Sequence, residues 1–253
     1  MTNSGKSAEK NEVTNAVKNT EIFIVRHGVT SWNQIGRLQG HTDIDLSALG
    51  IAQAKTLIAP FKLWHLERSF TCAYTSDLSR AINTAAPCTQ AIDLEIAVDP
   101  IWRERGFGVL EGLDREQMLA QHPAVVTAWK SGQTDYQLPD SAQSIGESVA
   151  QFYARIEAGI NDLLARHVGQ RVLLVTHGGV VDMVRRMAQG LPLGAPRGYD
   201  IPNASVGCVA HDGERFSMPF WLNTDHLNSE QLHTQNPTAD QREGDHLRSG
   251  HGQ

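Results

Sequence analysis

Two apolar runs that end in a histidine and a glycine constrain the fold of this chain more than any other feature. The first run, IFIVRHG, covers residues 22–28, and the second, VLLVTHGG, covers residues 172–179. Their β-branched content predicts buried strands, and residues with helical spacing follow in each case. Strands that alternate with helices predict an α/β fold, a three-layer α/β/α domain with a central, mostly parallel sheet.

Helical patterns occupy much of the chain between these two runs. We expect one helix over residues 47–61, with Ser47 as its N-cap and Pro60 near its end. A longer helix should include residues 149–164, where apolar residues recur at helical intervals. Both helices would bury their apolar faces against the predicted sheet.

The remaining predicted elements follow the same alternation. Residues 69–76 read as a strand, and Asp77 is placed to cap the helix that comes after it. The helix after the second histidine run should end at Gly190, and two short strands are expected over residues 204–211 and 215–222.

Composition and charge exclude several functional classes. The chain has 253 residues, of which 40% are hydrophobic and 20% charged, which is typical of a soluble globular protein. A formal net charge of -6 argues against a general nucleic-acid binder. Cys72, Cys88 and Cys208 have no paired or metal-ligand spacing, so they indicate free, buried thiols in a reducing compartment.

The two ends of the chain are polar. Residues 1–20 and 228–253 contain few large apolar side chains, so we expect a flexible N-terminal leader and a flexible C-terminal tail around one domain over residues 21–227. The leader lacks the apolar core of a signal peptide, and no segment reaches transmembrane length. These features predict a cytoplasmic protein without a membrane partner.

Polar side chains gather where three of the predicted strands end. The first strand delivers Arg26 and His27, the second leads to Arg80 one turn into its helix, and the late strand delivers His177. Parallel sheets bind ligands beyond the carboxyl ends of their strands. Each residue alone is more often structural, but their shared position at one sheet edge predicts a site.

Two arginines and two histidines suit phosphoryl transfer. Arginine offers a planar fork of donors that matches phosphate oxygens, and a neutral imidazole is a competent nucleophile. A second imidazole, as the cation, would stabilise the charge on a phosphoryl group in transfer. Gly28 would let the backbone approach the phosphate closely.

The leaving alkoxide also needs a proton donor. Glu104 lies between two arginines in a turn-prone run, where a solvated ion-pair cluster is the simpler reading. Asp77, Glu111 and Asp182 are rival carboxylates by the same criterion. Charge pattern alone does not rank the four.

Five blocks resemble a known family. They read RHGVTSWNQIGRLQGHTDIDLSALG, YTSDLSRAINTA, WRERGFGVLEG, GESV and VTHGGVV, and they stand in the family's order across residues 21–227. Together they resemble the histidine phosphatase superfamily, also called the phosphoglycerate mutase-like family. The resemblance implies the phosphoglycerate mutase-like version of the α/β fold.

The resemblance also implies roles by position. His27 resembles the nucleophile that becomes phosphohistidine, and Arg26, Arg80 and His177 resemble the rest of the phosphate pocket. Glu104 matches the general acid that protonates the leaving group and then activates water. No metal or other cofactor is implied, and the partner is a small phosphorylated metabolite, with a homo-oligomer left open. Further phosphate or substrate contacts are implied for Thr30, Asn33, Gln39, Gly40 and Gly178.

The family contains phosphatases and mutases, and two features favour hydrolysis. Phosphoglycerate mutases usually read RFTGW where this chain reads RLQGH, so Gln39 resembles the phosphatase branch. Mutases also carry an insertion with a lysine and paired arginines, whereas residues 105–146 here hold Arg105, Arg115 and Lys130 as their cations. The alternative is a 2,3-bisphosphoglycerate-dependent phosphoglycerate mutase. A non-catalytic binding module on the same fold is disfavoured because every matching position is intact.

Substrate choice is expected to depend on two segments. These are the loop after Asn33 and residues 105–146, which should form a short helical cap beside the site. Trp129, Tyr136 and Gln143 are candidates for substrate contact, and each could equally serve packing or lie at the surface.

Overall fold

The computed structural model describes residues 19–233, and its centre is a six-stranded sheet. Across the sheet the order is β3-β2-β4-β1-β5-β6. The first four of these strands run parallel, and β5 runs antiparallel to both β1 and β6. The mostly parallel sheet is thereby confirmed. The strands are β1 (Thr20–Arg26), β2 (Cys72–Thr75), β3 (Ile96–Val98), β4 (Arg171–Thr176), β5 (Val206–His211) and β6 (Phe216–Asn223).

Helices connect the strands and form the cap. The described residues include α1 (Ser31–Gln34), α2 (Ala48–Thr56), α3 (Ile58–Glu67), α4 (Ser79–Ala91), α5 (Arg115–Gln121), α6 (Pro123–Lys130), α7 (Val149–Arg166), α8 (Gly178–Gln189) and α9 (Ser229–His233). Short 3-10 turns cover Pro100–Trp102 and Gly108–Leu110. Helices α5 and α6 lie in the segment for which a short helical cap was expected.

Both faces of the sheet are covered, as the strand periodicity requires. Ile22 and Ile24 of β1 belong to a buried cluster with residues of α7 and α8. Phe23 and Val25, which point to the other face, pack in a second cluster with residues of α3 and α4. Burying side chains of this size stabilises the fold by about 1.5–3 kcal/mol each, and the arrangement confirms the three layers.

The register of the parallel strands places the histidines together. Arg26 is the partner of Thr176 between β1 and β4, and Thr75 of β2 is the partner of Val175. The backbone N–H of His27 then donates to the carbonyl of Thr176 at 2.8 Å. The carboxyl ends of β1, β2 and β4 therefore meet at one edge of the sheet.

The helix expected over residues 47–61 is two helices. Ser47 caps α2 as predicted, since its hydroxyl accepts the N–H of Gly50. However, α2 ends at Thr56 and α3 begins at Ile58, so Pro60 lies in the first turn of α3 and not near a helix end. Proline is tolerated there because the N–H groups of a first turn have no partner within the helix.

The expectation that Asp77 caps the following helix is wrong. The N-cap position of α4 is Leu78, and the carboxylate of Asp77 accepts from Nε and Nη2 of Arg103 at 2.6 and 2.5 Å. A charge-assisted pair with a guanidinium fork is stronger than a bond to one backbone N–H. At the far end of the chain, Gly190 ends α8 as expected, with φ of 62°.

The first residues of the expected C-terminal tail are folded. Helix α9 lies at 229–233, and the backbone carbonyl of Gln231 accepts from Nε2 of Gln53 at 3.0 Å. Gln53 is fully buried, so this bond anchors the helix to the body of the domain. The rest of the expected tail and the leader up to residue 18 lie outside the described residues.

The three cysteines are free, and none of the described helices is suited to crossing a membrane. Cys88 and Cys208 are buried and free, while Cys72 is free but half-buried. Between residues 19 and 233, no helix combines the length and apolar character that crossing a membrane requires.

Candidate active site

His27 stands directly after β1, with its ring oriented by a hydrogen bond. Its Nδ1 donates to the carbonyl of Gly28 at 2.7 Å, and because a carbonyl can only accept, the proton resides on Nδ1. Nε2 therefore carries the lone pair. Burial lowers the pKa of His27 well below its ordinary value, and the charges of Arg80 and Arg26 lower it further. The imidazole is neutral and suited to nucleophilic attack.

Gly28 packs closely against α2, which explains why a glycine stands at this position. A Cβ on this residue would lie 2.7 Å from the carbonyl oxygen of Gly50, in α2. The N–H of Gly28 donates to Oγ1 of Thr84 at 2.9 Å. Close packing of α2 against the loop after His27 therefore requires this glycine, while the close approach to phosphate stays a prediction.

The loop after His27 is held from behind by a buried amide. Oε1 of Gln53 accepts the N–H of Val29 at 2.8 Å, two residues beyond His27. Nδ2 of Asn203 donates to the carbonyl of His27 at 2.9 Å. The backbone around His27 is therefore fixed from two sides.

Arg80 lies at the second position of α4 and is fully buried. Its Nη1 donates to the carbonyl of Thr42 at 2.9 Å, and its Nη2 donates to the carbonyl of Gly40 at 2.7 Å. Burial lowers its pKa to about 10, although the charge of Glu104 opposes the change. Arg80 is still a cation at neutral pH, held in one orientation by backbone carbonyls.

His177 faces His27 with ring centroids 5.2 Å apart. Nε of Arg80 donates to its Nδ1 at 3.3 Å, so the proton lies on Nε2, which is 2.7 Å from Oγ of Ser76. Burial and the neighbouring charge of Arg80 lower the pKa of His177 well below its ordinary value. The second imidazole, which was expected to be a cation, is thus neutral in this structure, because its Nδ1 accepts a hydrogen bond from Arg80.

The N-terminus of α8, which begins directly after His177, lines the small cavity beside His27. Gly178 is the first residue of this helix, and a Cβ on it would lie 3.3 Å from Nε of Arg26. The guanidinium of Arg26 donates to the carbonyl of Ile201 and is buried beside the pocket. Helix N-termini favour anions through their N–H groups and their dipole.

Glu104 lines the same cavity, with both carboxylate oxygens oriented by backbone donors. Oε1 accepts the N–H of Arg105 at 2.8 Å, and Oε2 accepts the N–H of Gly179 at 2.9 Å. Of the rivals, Asp77 is paired with Arg103, as described above. Asp182 is bonded to Arg186 at 2.8 Å and accepts the hydroxyl of Tyr199. Of the four candidate carboxylates, Glu104 is the one that lines the cavity beside His27.

The fourth carboxylate, Glu111, organises the loop that receives Arg80. It accepts the N–H groups of His41 and Thr42 at 2.9 and 2.8 Å, and the hydroxyl of Thr42 at 2.7 Å. It also accepts the N–H of Phe107 at 2.9 Å. Glu111 thereby joins the loop that receives Arg80 to the segment that carries Glu104.

The side chains enclose a small cavity of about 40 Å³. Of the remaining predicted contacts, Asn33, Gln39 and Gly40 line it, whereas Thr30 does not. Thr30 is fully buried behind them, with Oγ1 at 3.1 Å from Oδ1 of Asn33 and 3.0 Å from Oε1 of Gln39. The lining residues are Arg26, His27, Asn33, Arg37, Leu38, Gln39, Gly40, Arg80, Glu104, Phe107, Gly178, Gly179 and Arg197.

A second cavity of about 430 Å³ adjoins the first. Of the candidates for substrate contact, Trp129 lines it, while Tyr136 packs in the apolar cluster of the cap. Gln143 is exposed and its N–H is bonded to Ser141. The two cavities share Glu104, Phe107, Gly179 and Arg197.

Sequence reasoning missed two arginines of the site. Arg37 and Arg197 both line the small cavity. Arg37 stands in the turn-rich RLQG segment, where its charge was the available signal. Arg197 lies in the irregular segment after α8, for which no pattern predicted a role.

Comparison with known proteins agrees with this arrangement. The model of the histidine phosphatase superfamily (branch 1) matches residues 22–224. A metal-independent phosphoserine phosphatase of Arabidopsis thaliana is 34% identical, over 83% of this chain and 84% of the relative. Phosphoglycerate mutase-like protein 4 of the same plant is 32% identical, over 82% and 86%.

A solved structure shows the same fold. The mycobacterial glucosyl-3-phosphoglycerate phosphatase superposes with a TM-score of 0.69 at 27% identity, covering 82% of this chain and all of that one. The expectation of a phosphatase enzyme is confirmed, and the chain belongs to branch 1 of the histidine phosphatase superfamily.

Proposed function

We propose that this chain is a metal-independent phosphomonoesterase that transfers the phosphoryl group of a small metabolite to His27 and then to water. The observation that carries the proposal is the hydrogen bond from Nδ1 of His27 to Gly28, which leaves Nε2 as the lone-pair nitrogen beside Arg26 and Arg80. A neutral nucleophile within a cationic pocket is suited to phosphoryl transfer.

In the first step, Nε2 of His27 attacks phosphorus while the bond from phosphorus to the ester oxygen breaks. Glu104, in its protonated form, gives its proton to the departing oxygen, so a neutral alcohol leaves. Arg26, Arg80 and the N-terminus of α8 surround the negative oxygens of the phosphoryl group. The product is phosphohistidine and the alcohol.

In the second step, water attacks the phosphoryl group of phosphohistidine. The carboxylate of Glu104 removes a proton from this water, the bond between nitrogen and phosphorus breaks, and inorganic phosphate leaves. Glu104 suits both steps because it lines both cavities and so stands between the phosphoryl pocket and the space for the alcohol. The charge of a bound phosphoryl dianion would also oppose the lowering of the pKa of His177 by Arg80.

The small number of cations in the cap, residues 105–146, favours hydrolysis over the mutase alternative. Of those in residues 105–146, Arg115 is exposed on α5, while Arg105 and Lys130 line the larger cavity. A mutase must hold a bisphosphorylated primer, for which the paired arginines of the family insertion are absent from this segment. The relative named phosphoglycerate mutase-like protein 4 keeps the mutase as the second candidate.

The nucleophile is tested by trapping the intermediate. Incubation with a ³²P-labelled phosphomonoester and an alkaline quench should yield an acid-labile phosphoprotein, which His27→Ala should lose together with phosphate release. His211→Ala, at the opposite edge of the sheet, is the matched control. EDTA should leave the rate unchanged. A label that persists in His27→Ala would overturn the role of His27.

The mutase and the binding module are tested in one assay. With 3-phosphoglycerate and a trace of the 2,3-bisphosphate, isomer formation without free phosphate would establish the mutase. Absence of both products, and of phosphate from every ester tried, would favour the non-catalytic binding module.

Other expectations stay proposals. They are the single-domain organisation, with α9 extending the domain past residue 227, the cytoplasmic location, the lack of nucleic-acid and membrane partners, and any homo-oligomer.

A further inference from the structure

The larger cavity is positioned to receive the alcohol part of the substrate. Glu104, Gly179 and Arg197 line both cavities, so the two spaces meet beside the proposed proton donor. The smaller one, about 40 Å³, has room for little more than a phosphoryl group. Given the proposed function, on which this inference rests, the ester oxygen points past Glu104 and the alcohol enters the larger space.

The volume of this space exceeds the needs of a three-carbon acid. It measures about 430 Å³, within the range of sites that enclose most of a small organic ligand. It is roughly ten times the volume of the smaller cavity, so the about seven non-hydrogen atoms of serine or glycerate leave part of it unused. An alcohol with about thirteen such atoms, as in a six-carbon sugar acid, makes fuller use of this space.

The charge of the walls favours an anion. Among the lining side chains, the cations Arg105, Lys130, Arg186 and Arg197 outnumber the anions Glu104 and Asp182. Arg186 and Asp182 form an ion pair, so their charges offset each other. The chain as a whole carries a net charge of -6, and a positive cavity in an acidic protein attracts acidic ligands.

The cations also have a defined place. Lys130 is the last residue of α6 in the cap, and Arg197 lies in the segment after α8 on the side shared with the phosphoryl pocket. Trp129, Phe152 and Met183 supply an apolar wall of the same cavity. A carbon chain can pack on that wall while its charged end meets Lys130 or Arg197.

We propose that the substrate is an acidic phosphomonoester whose alcohol part is about the size of a six-carbon sugar acid and carries a second anionic group. That group, a carboxylate or a second phosphate, is bound by Lys130 and Arg197. Phosphoserine and phosphoglycerate are poor substrates by this criterion, because they fill less of the cavity and reach fewer of its walls.

Four esters separate size from charge. The carboxylates 3-phosphoglycerate and 6-phosphogluconate are compared with glycerol 3-phosphate and sorbitol 6-phosphate, which replace each carboxylate by a hydroxymethyl group. We expect 6-phosphogluconate to have the highest kcat/KM, about tenfold above sorbitol 6-phosphate, as one charge-assisted contact implies. Glucose 1,6-bisphosphate against glucose 6-phosphate then shows whether phosphate replaces the carboxylate.

Two variants test whether Lys130 and Arg197 bind the second anionic group of the substrate. Lys130→Gln and Arg197→Gln should each reduce the ratio of kcat/KM for 6-phosphogluconate to that for sorbitol 6-phosphate by about threefold to tenfold. The ratio is used because Arg197 also lines the phosphoryl pocket. Lys55→Gln makes the same charge change at an exposed site on α2 and should leave the ratio unchanged.

The outcomes are separable from those of the proposed function. Phosphate release from all four esters with equal kcat/KM, or unchanged ratios in both variants, would overturn this inference and leave hydrolysis through His27 standing. No phosphate from any ester and no phosphohistidine would instead refute the proposed function itself.

Discussion

The small cavity beside His27, which is the proposed phosphoryl pocket, and the larger cavity lined by Trp129 and Lys130, here called the cap cavity, adjoin each other. The two cavities are built in different ways. In the pocket, His27 and His177 follow neighbouring parallel strands, and the guanidinium of Arg80 is held by two backbone carbonyls. In the cap cavity, one wall comes from buried residues of α7 and α8, and the other walls come from α6 and irregular segments, with half-exposed side chains such as Trp129. The sheet thus sets the chemistry, and the cap sets the space around it.

This difference predicts how substitutions act. A change in the pocket should slow every substrate, because all esters present the same phosphoryl group. A change in the cap should act on some substrates and spare others, because their alcohol parts differ. Substitutions in the pocket and at its junction with the larger cavity test this difference.

The largest effect is expected for Arg80→Lys. An ammonium group cannot donate to Gly40 and Thr42 and also retain a flat fork toward phosphate. We expect kcat/KM to fall by about 10²–10³ for every ester, as for loss of one transition-state contact in a closed site. Steady-state kinetics on large and small esters is the measurement, with exposed Arg215→Lys as control. A loss restricted to large esters would contradict the expectation that the pocket acts on every ester alike.

A smaller effect is expected at the junction of the two regions, for Gly179→Ala. The new Cβ would lie 2.1 Å from Oε1 of Glu104, so the carboxylate must move, while α8 itself tolerates alanine. We expect kcat/KM for alkyl phosphates to fall by about 10-fold to 10²-fold, up to the lower limit of the range for acid–base catalysis, because the carboxylate is displaced and not removed.

Esters with different leaving groups distinguish the displacement of the Glu104 carboxylate from a general disruption of the site. p-Nitrophenol departs readily without a proton, so Gly179→Ala should change kcat/KM for p-nitrophenyl phosphate, which reports only the first step, by less than about threefold if Glu104 acts as an acid. Gly198→Ala is the matched control, because a Cβ there meets nothing within 4 Å. Equal losses for both kinds of ester would argue against a proton-donor role for Glu104.

The smallest effect concerns acid stability. Burial lowers the pKa of both His27 and His177 in the folded protein, whereas unfolding returns each to about 6.5. The unfolded state therefore binds more protons below that pH, and each histidine removes roughly 1 kcal/mol of stability per pH unit of acidification. Urea unfolding at several pH values should show a flatter pH dependence for the double variant His27→Asn, His177→Asn. An unchanged slope would contradict the buried, neutral histidines.

The same lowered pKa values affect catalysis. Since neutral His27 is the proposed nucleophile, its protonation should not limit kcat/KM near pH 6.5 but only at lower pH.

Periodicity explains what the sequence could predict. The runs before His27 and His177 are buried strands, as their hydrophobic pattern predicted. That β1 and β4 are neighbours comes from the sheet order, which the pattern did not predict. Glu104 was not predictable from pattern, because four carboxylates look alike by charge, and the family resemblance alone ranked them. Asp77 failed as a cap because its partner, Arg103, is 26 residues away in sequence.

The cap cavity was harder to predict for the same physical reason. Arg197 comes from an irregular segment without a repeating pattern, and its position depends on Arg186. The guanidinium of Arg186 donates to the carbonyls of Pro192 and Ala195, and so fixes the segment that carries Arg197. Such contacts are not encoded by local propensity.

The bond between Gln53 and α9 has a practical consequence for anyone who shortens this protein. Gln53 bonds the N–H of Val29 on one side and the carbonyl of Gln231 on the other. A gene trimmed at residue 227, the limit suggested by hydrophobicity, would leave a buried amide without its acceptor, at a cost of about 1–3 kcal/mol. The loop that follows His27 shares that amide, so expression boundaries and affinity tags are best placed beyond residue 233.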